Sequence, residues 1–146
     1  MENVVNQPIG NLTELLASMH PELNEGVYVY TSVPLDADIS QLAPLATFRE
    51  REGLTLVVDE AAALSAGLQP LFRAAWITLT VHSDLQAVGL TAAFAKALGD
   101  AGISCNVVAA AFHDHIFVPV ESAQRALAQL LLLQQRAQQG CASSHL

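Results

Sequence analysis

The stretch AWITLTVH, residues 75–82, decides the fold class of the second half of this chain. Its side chains alternate, so that Ile77, Leu79 and Val81 share one face, and this pattern predicts a β-strand buried on that face. The next four residues, SDLQ, have the spacing of a helix-capping box, which predicts a helix over 85–100. A strand that leads directly into a helix is the start of a β-α-β unit.

The remainder of the second half extends this unit. Strands are predicted over 103–109 and 115–120, and a last helix over 121–136. The order strand, helix, strand, strand, helix is typical of a ferredoxin-like unit, in which the first and third strands are antiparallel neighbours. A polar tail rich in Gln and Ser begins at residue 134, and no fourth strand follows it. The sheet of this unit therefore needs a strand from elsewhere in the chain.

The first half repeats the helix–strand–strand–helix pattern. Its predicted elements are a helix over 11–19, strands over 27–32 and 54–58, and a helix over 59–66 that Asp59 caps. Gly67 and Pro70 end that last helix and mark the boundary between the halves. We therefore expect an α+β protein of two ferredoxin-like units with antiparallel sheets, residues 1–70 and 71–146, that complete one another's sheets.

Composition limits the partners of the chain. Of its 146 residues, 52% are hydrophobic and 14% are charged, and the net charge is −8. Nucleic acids and anionic membranes are bound by neutralising phosphates, and six Lys and Arg residues are too few for that, so neither is an expected partner. Polar side chains are also too few to cover the surface, which predicts a homodimer or a higher homo-oligomer.

The location of the protein is predicted from its cysteines and its apolar runs. Cys105 and Cys141 form no disulfide framework, which suits a reducing cytoplasm. The N-terminal residues do not resemble a secretory signal. No apolar run approaches the length that a membrane span needs. The sequence therefore predicts a cytoplasmic protein.

Four stretches of the chain carry a family resemblance. They are FREREGLTLV (48–57), HSDLQAVGLT (82–91), GISCNVV (102–108) and HDHIFVP (113–119). Together they resemble the ACT domain, a small regulatory module that binds amino acids, and more narrowly a bacterial family of tandem ACT proteins without an assigned activity. The resemblance implies a regulatory or sensor protein that binds an amino-acid-like ligand, with no catalytic activity, cofactor or metal.

The resemblance also implies where the ligand binds. The site lies between ACT units and uses the loop after the first strand and the backbone of the neighbouring second strand. A helix N-terminus offers backbone N–H groups to a carboxylate, Gly89 permits close approach, and Asp84 can pair with an ammonium group. The alternative is that Ser83 only caps the helix and Gly89 only relieves helix packing. The candidate ligand-binding residues are His82, Ser83, Asp84, Gly89, Asn106 and Val107.

Three histidines are the basis of an alternative to the ligand-binding function. The run His113-Asp114-His115 places two imidazoles on the same face of a strand, and His82 is expected nearby across the ladder. Imidazoles are common zinc ligands and general bases, so the alternative is a small hydrolase or metal-dependent enzyme at this edge. Cys105 alternates with apolar core positions, which predicts a buried, unreactive thiol rather than a nucleophile.

Overall fold

The computed structural model describes residues 12–81 and 88–143, and all of its strands belong to one antiparallel sheet. The strand order is β3-β4-β2-β5-β7-β6, and β1 also pairs with β5. A short 3-10 turn, Val120–Ser122, precedes the last helix. The elements are α1 (Leu12–Ser18), β1 (His20–Leu23), β2 (Tyr28–Val33), β3 (Ala46–Arg49), β4 (Leu54–Asp59), α2 (Glu60–Ser65), β5 (Phe72–Thr80), α3 (Leu90–Asp100), β6 (Asn106–Ala109), β7 (His113–Pro119) and α4 (Ala123–Ser143).

The long strand β5 is shared by the two halves. Its first residues pair with β2, where Ala74 lies opposite Tyr28, and its last residues pair with β1, where Thr80 lies opposite His20. On its other side β5 pairs with β7 from Ala74 to Thr80. The first half thus supplies β1 as the fourth strand of the second unit. The predictions that the halves complete one another's sheets and that β5 and β7 are antiparallel neighbours are both confirmed.

The helices cover one face of the sheet with two apolar cores. The larger core packs β5 and β7 against α1, α3 and α4, and Ile77, Phe94 and Leu130 in it are completely buried. The smaller core packs β2 and β4 against α2. Between β2 and β3 the first unit has turns in place of a helix, and Leu42 from this segment helps to fill the smaller core. Asp59 caps α2 as predicted, accepting a hydrogen bond from the Ala61 N–H at 2.9 Å.

The prediction of a polar tail from residue 134 is wrong for the residues up to 143. Helix α4 continues to Ser143, and Ala137 within this part is buried. The Gln134 amide donates to the carbonyl of Met19 at 2.6 Å, and the Gln138 amide donates to the carbonyl of Ala17 at 3.2 Å. Carbonyls at a helix end have no partner within the helix, and these glutamines donate to two of them at the C-terminal end of α1.

Several helix and strand boundaries in the structure also differ from the predicted ones. Helix α3 begins at Leu90 with Gly89 as its N-cap, so the predicted helix over 85–100 is wrong at residues 88 and 89. Its predicted start at Leu85 and the capping box before it lie outside the described residues. Strand β6 begins at Asn106 and not at Ile103, and β7 begins at His113. Among residues 12–81 and 88–143, no helix combines the length and the apolar character that crossing a membrane requires.

Candidate functional site

Aromatic side chains collect on the sheet face that the helices leave uncovered. Tyr28 meets Trp76 with ring centroids 5.3 Å apart, and Tyr30 meets Phe117 at 5.7 Å, both edge to face. Tyr30 also contacts Phe72 at 5.6 Å. Side chains alternate along a strand, so the aliphatic residues between these aromatic ones point to the helices. We call this aromatic side of the sheet the helix-free face.

Both histidines of β7 lie on the same face of the strand, as predicted, and this is the helix-free face. The Trp76 indole N–H donates to His115 Nδ1 at 3.0 Å, and the Thr80 hydroxyl lies 3.2 Å from His113 Nδ1. Burial and the neighbouring His113 lower the pKa of His115, and the charge of Asp114 opposes them. His115 is therefore neutral at pH 7, with its proton on Nε2, because Nδ1 accepts the indole hydrogen bond.

The groups that a metal or hydrolase site would need do not converge in the described part of the chain. Asp114 is 8% exposed and points to the helix side of β7, away from His113 and His115. Burial raises the pKa of Asp114, and the charge of His115 acts in the opposite direction. His82 lies outside the described residues. Residues 12–81 and 88–143 contain no group of three His, Cys, Asp or Glu side chains placed to hold a metal ion.

Two cavities lie side by side on the helix-free face. One has a volume of about 190 Å³ and the other of about 160 Å³. Ala46 of β3 and Val108 of β6 line both cavities, although β3 and β6 stand at opposite ends of the strand order. The sheet is therefore curved so strongly that its two edge strands face each other across the helix-free face.

A third cavity, of about 250 Å³, lies between α3 and α4. Its lining includes one acidic and one basic side chain, Asp100 and Arg136. The Asp100 carboxylate is already paired with Lys96 at 2.7 Å. Arg125 closes the neighbouring helix end by donating to the Ala101 carbonyl at 2.7 Å. This groove is the described cavity whose charges best match a zwitterion.

Three of the predicted ligand-binding residues, His82, Ser83 and Asp84, lie outside the described residues. Gly89 has a φ of 94°, and a Cβ there would come within 3.3 Å of Leu12 Cδ2. The left-handed backbone favours glycine at this position whether or not a ligand approaches it, and a Cβ there would displace the Leu12 side chain only slightly.

Asn106 and Val107 occupy opposite faces of β6. Asn106 is exposed on the helix-free face, and Val107 packs against the larger core. Asn106 lies opposite Phe117, which lies opposite Trp76, four residues from the end of β5. At about 3.3 Å per residue, this places Asn106 on the order of 13 Å from the level where β5 ends. Ala109, opposite Asp114, is the residue of β6 nearest to that level.

The cavities of the helix-free face were missed by the sequence reasoning. Their signal is the alternation in β2 and β5, where Tyr28, Tyr30 and Trp76 occupy the face opposite the aliphatic residues. A second signal is Phe48, a large aromatic residue beside a charged hairpin tip, which is 72% exposed.

Comparisons with known families and structures agree with this architecture. Models described as the ACT domain match residues 7–75 and 72–131. The matches overlap at the first residues of β5, the strand that both units use. No curated protein matches the chain.

Solved structures give similar results. The chain is 51% identical to a Vibrio cholerae protein of unknown function, described as a possible transport protein, with a TM-score of 0.78 over 88% of this chain and 99% of that one. An Agrobacterium tumefaciens protein is 14% identical, with a TM-score of 0.62 over 80% of this chain and 89% of that one. The regulatory subunit of aspartate kinase from Thermus thermophilus is 10% identical, with a TM-score of 0.56 over 77% of this chain and 95% of that one.

At identities this low, the last two structures show a shared fold. The 51% identical relative and the two matched regions show more, and they confirm the resemblance that the sequence motifs carry. This membership supports a regulatory role in which the protein binds a small molecule. The chain belongs to the ACT-domain family, with two ACT units in tandem.

Proposed function

We propose that this protein is a regulatory or sensor protein that binds a small amino-acid-like ligand and has no catalytic activity of its own. The observation that carries the proposal is that both halves of the chain match the ACT domain. The structural likeness to the regulatory subunit of an aspartate kinase is consistent with it. We divide the chain functionally into the units 1–70 and 71–146.

The proposed site is the end of the sheet where β5 stops and α3 begins. Gly89, the N-cap of α3, has no side chain to bond the first-turn N–H groups, and N–H groups at a helix N-terminus are suited to a carboxylate. We assign Asp84 to the ligand ammonium group. His82 and Ser83 complete the proposed lining, and Asn106 and Val107 are left out of it because the strand register places Asn106 on the order of 13 Å from this end of the sheet.

Two features of the described residues favour binding over the alternative, a small hydrolase or metal-dependent enzyme at His82, His113 and His115. The Asp114 carboxylate points away from the His113 and His115 rings, so it cannot orient either of them as a general base. Burial raises the pKa of the Cys105 thiol, which lowers the fraction present as the nucleophilic thiolate.

We further propose that the protein is a cytoplasmic homodimer. Large apolar side chains remain exposed in the single chain, among them Leu71 and Phe112, at 68% and 83%. Neither Cys105 nor Cys141 is part of a disulfide, which suits a reducing compartment. Sedimentation at micromolar concentration should give twice the mass of one chain, and a single-chain mass would contradict the dimer.

A thermal-shift screen tests the binding function. Each of the common amino acids, and separately Zn²⁺ and Mn²⁺ salts, is added to the purified protein. A ligand present at a hundred times its dissociation constant stabilises the folded state by about 2.7 kcal/mol, so a true ligand raises the melting temperature visibly. We expect one or a few chemically related amino acids to do so. Stabilisation by metal alone, lost in His115→Ala, would favour the enzyme alternative instead.

A further inference from the structure

The space on the helix-free face is of a size that holds small organic molecules. Its two cavities, of about 190 and 160 Å³, are neighbours because Ala46 and Val108 line both. A cavity of about 150 Å³ in a protein core is enough to hold benzene. Both side chains are small, and larger ones at these positions would fill the gap between β3 and β6. We call this space, bounded by Tyr30, Ala46, Phe48, Val108 and Phe117, the edge groove.

The chemistry of the edge groove selects uncharged ligands. Neither cavity has an Asp, Glu, Lys or Arg side chain in its lining. A charged group placed there would lose its hydration and gain no partner, which is strongly unfavourable. The polar groups present are hydroxyls and one imidazole. Burial and the neighbouring His113 lower the pKa of His115, so this imidazole is neutral. Burial raises the pKa of Tyr30, so its hydroxyl also stays uncharged.

The walls of the edge groove leave apolar surface in contact with water. Phe48 and Val108 are 72% and 46% exposed, and Leu45 beside them is 39% exposed. Covering such side chains contributes about 25 cal/mol for each Å² removed from water. The space is a recess between two strands with an aromatic floor, and each of its two cavities exceeds the volume that holds one benzene ring. These dimensions favour a small molecule over the surface of another protein.

We infer that the edge groove between β3 and β6 binds an uncharged aromatic or branched aliphatic small molecule. This site is separate from the proposed amino-acid site, because a zwitterion would find no charged partner in the edge groove. Pockets of this kind, largely apolar with a few polar groups, are typical of small-molecule sites.

The position of Trp76 provides a direct assay. It is the only tryptophan of the chain, and it lies on the helix-free face next to His115. The probe is N-phenylnaphthylamine, an uncharged fluorophore with aromatic rings that can accept energy from an excited tryptophan. Titration should quench Trp76 emission and raise probe emission in a saturable manner. Anilinonaphthalene sulfonate has the same ring skeleton with an added negative charge, and we expect it to bind at least about tenfold more weakly, because a buried charge lacks a partner here.

Matched variants locate the probe and keep the single tryptophan. Val108→Phe and Ala46→Phe fill the edge groove from its two opposite strands, and each should weaken the uncharged probe at least about tenfold. Ala109→Phe is the control, since Ala109 is the next residue of β6, is exposed, and points to the other face. The control should bind as the unchanged protein does. The two filling variants lie in different strands, so either one can serve if the other fails to fold.

Three results would overturn the inference. The first is the absence of saturable binding of the uncharged probe. The second is equal affinity in Ala46→Phe, Val108→Phe and Ala109→Phe, which would place the probe elsewhere. The third is sedimentation showing that Val108→Phe converts a dimer to single chains while the unchanged protein excludes the probe, which would identify a second copy of the chain as the occupant.

Discussion

The two faces of the sheet are formed by the same strands but differ in how tightly their side chains pack. On the covered face, aliphatic side chains such as Ile77 and Ile116 are completely buried under the helices. On the helix-free face, Trp76 and Phe117 pack edge to face with the tyrosines of β2 and leave cavities beside them. Dense packing is where a fold gains stability, and unfilled apolar space is where it can accept a ligand. The covered face therefore stabilises the fold, and the helix-free face retains unfilled space that a ligand could occupy.

The largest expected effect is a difference in the free energy of unfolding between two matched substitutions, one on each face. Phe94 is 0% exposed in the covered core, and Phe48 is 72% exposed on β3. Phe94→Ala should lower the free energy of unfolding by about 3–5 kcal/mol, because it removes buried contacts and leaves a cavity. Phe48→Ala should change it by less than about 0.5 kcal/mol. Urea denaturation measures both, and similar losses would show that the two faces do not differ as described.

A smaller effect is expected in the part of α4 that begins at residue 134, and it tests whether this part packs on the covered face. The Gln134 amide bonds the Met19 carbonyl, whereas Gln135 is exposed. Gln134→Ala should cost about 1–2 kcal/mol of unfolding free energy, because the carbonyl loses its donor. Gln135→Ala serves as the control and should be nearly neutral. Equal losses of unfolding free energy in the two variants, or no loss in either, would indicate that this segment is only loosely attached.

The smallest effect is a pH dependence from the helix-free face. Because the pKa of His115 is lower in the folded protein than its ordinary value of 6.5, the unfolded chain binds the proton more readily. The His115 contribution to stability is therefore complete above pH 6.5 and decreases as the pH falls below it. Asp114, with a raised pKa, contributes in the opposite direction near its ordinary value of 3.8. His115→Phe should flatten the stability profile just below pH 6.5 in denaturation experiments, and an unchanged slope would contradict this.

Local patterns predicted much of this fold, and contacts between distant segments explain what they missed. The alternation of Ile77 and Leu79 and the Asp59 cap are properties of neighbouring residues, and the structure has both. Strand β1 was missed because it has four residues, one of them Pro21, and its partner β5 lies far along the chain. The start of α3 was predicted too early, because the capping-box spacing was given more weight than Gly89. The left-handed φ of Gly89 sets the boundary.

The sites show the same division between local and global information. The shared face of His113 and His115 follows from the period of a strand, and the sequence predicted it. The meeting of Ala46 and Val108 depends on the curvature of the whole sheet, which no local pattern carries. The separation of Asn106 from the end of β5 likewise depends on the register of β6 on β7 and of β7 on β5.

The measurement that tests the central claim most directly is calorimetric titration with the amino acid that gives the largest thermal shift. The unchanged protein and Asp84→Asn are each titrated with that amino acid and with the carboxylic acid that lacks its amino group. A charge-assisted hydrogen bond contributes about 1.5–3 kcal/mol, so Asp84→Asn should bind the amino acid about ten- to a hundredfold more weakly and the carboxylic acid equally well. Arg136→Ala, in the groove between α3 and α4, should bind both ligands as the unchanged protein does. Full affinity in Asp84→Asn together with lost affinity in Arg136→Ala would contradict the proposed site and place the ligand in that groove.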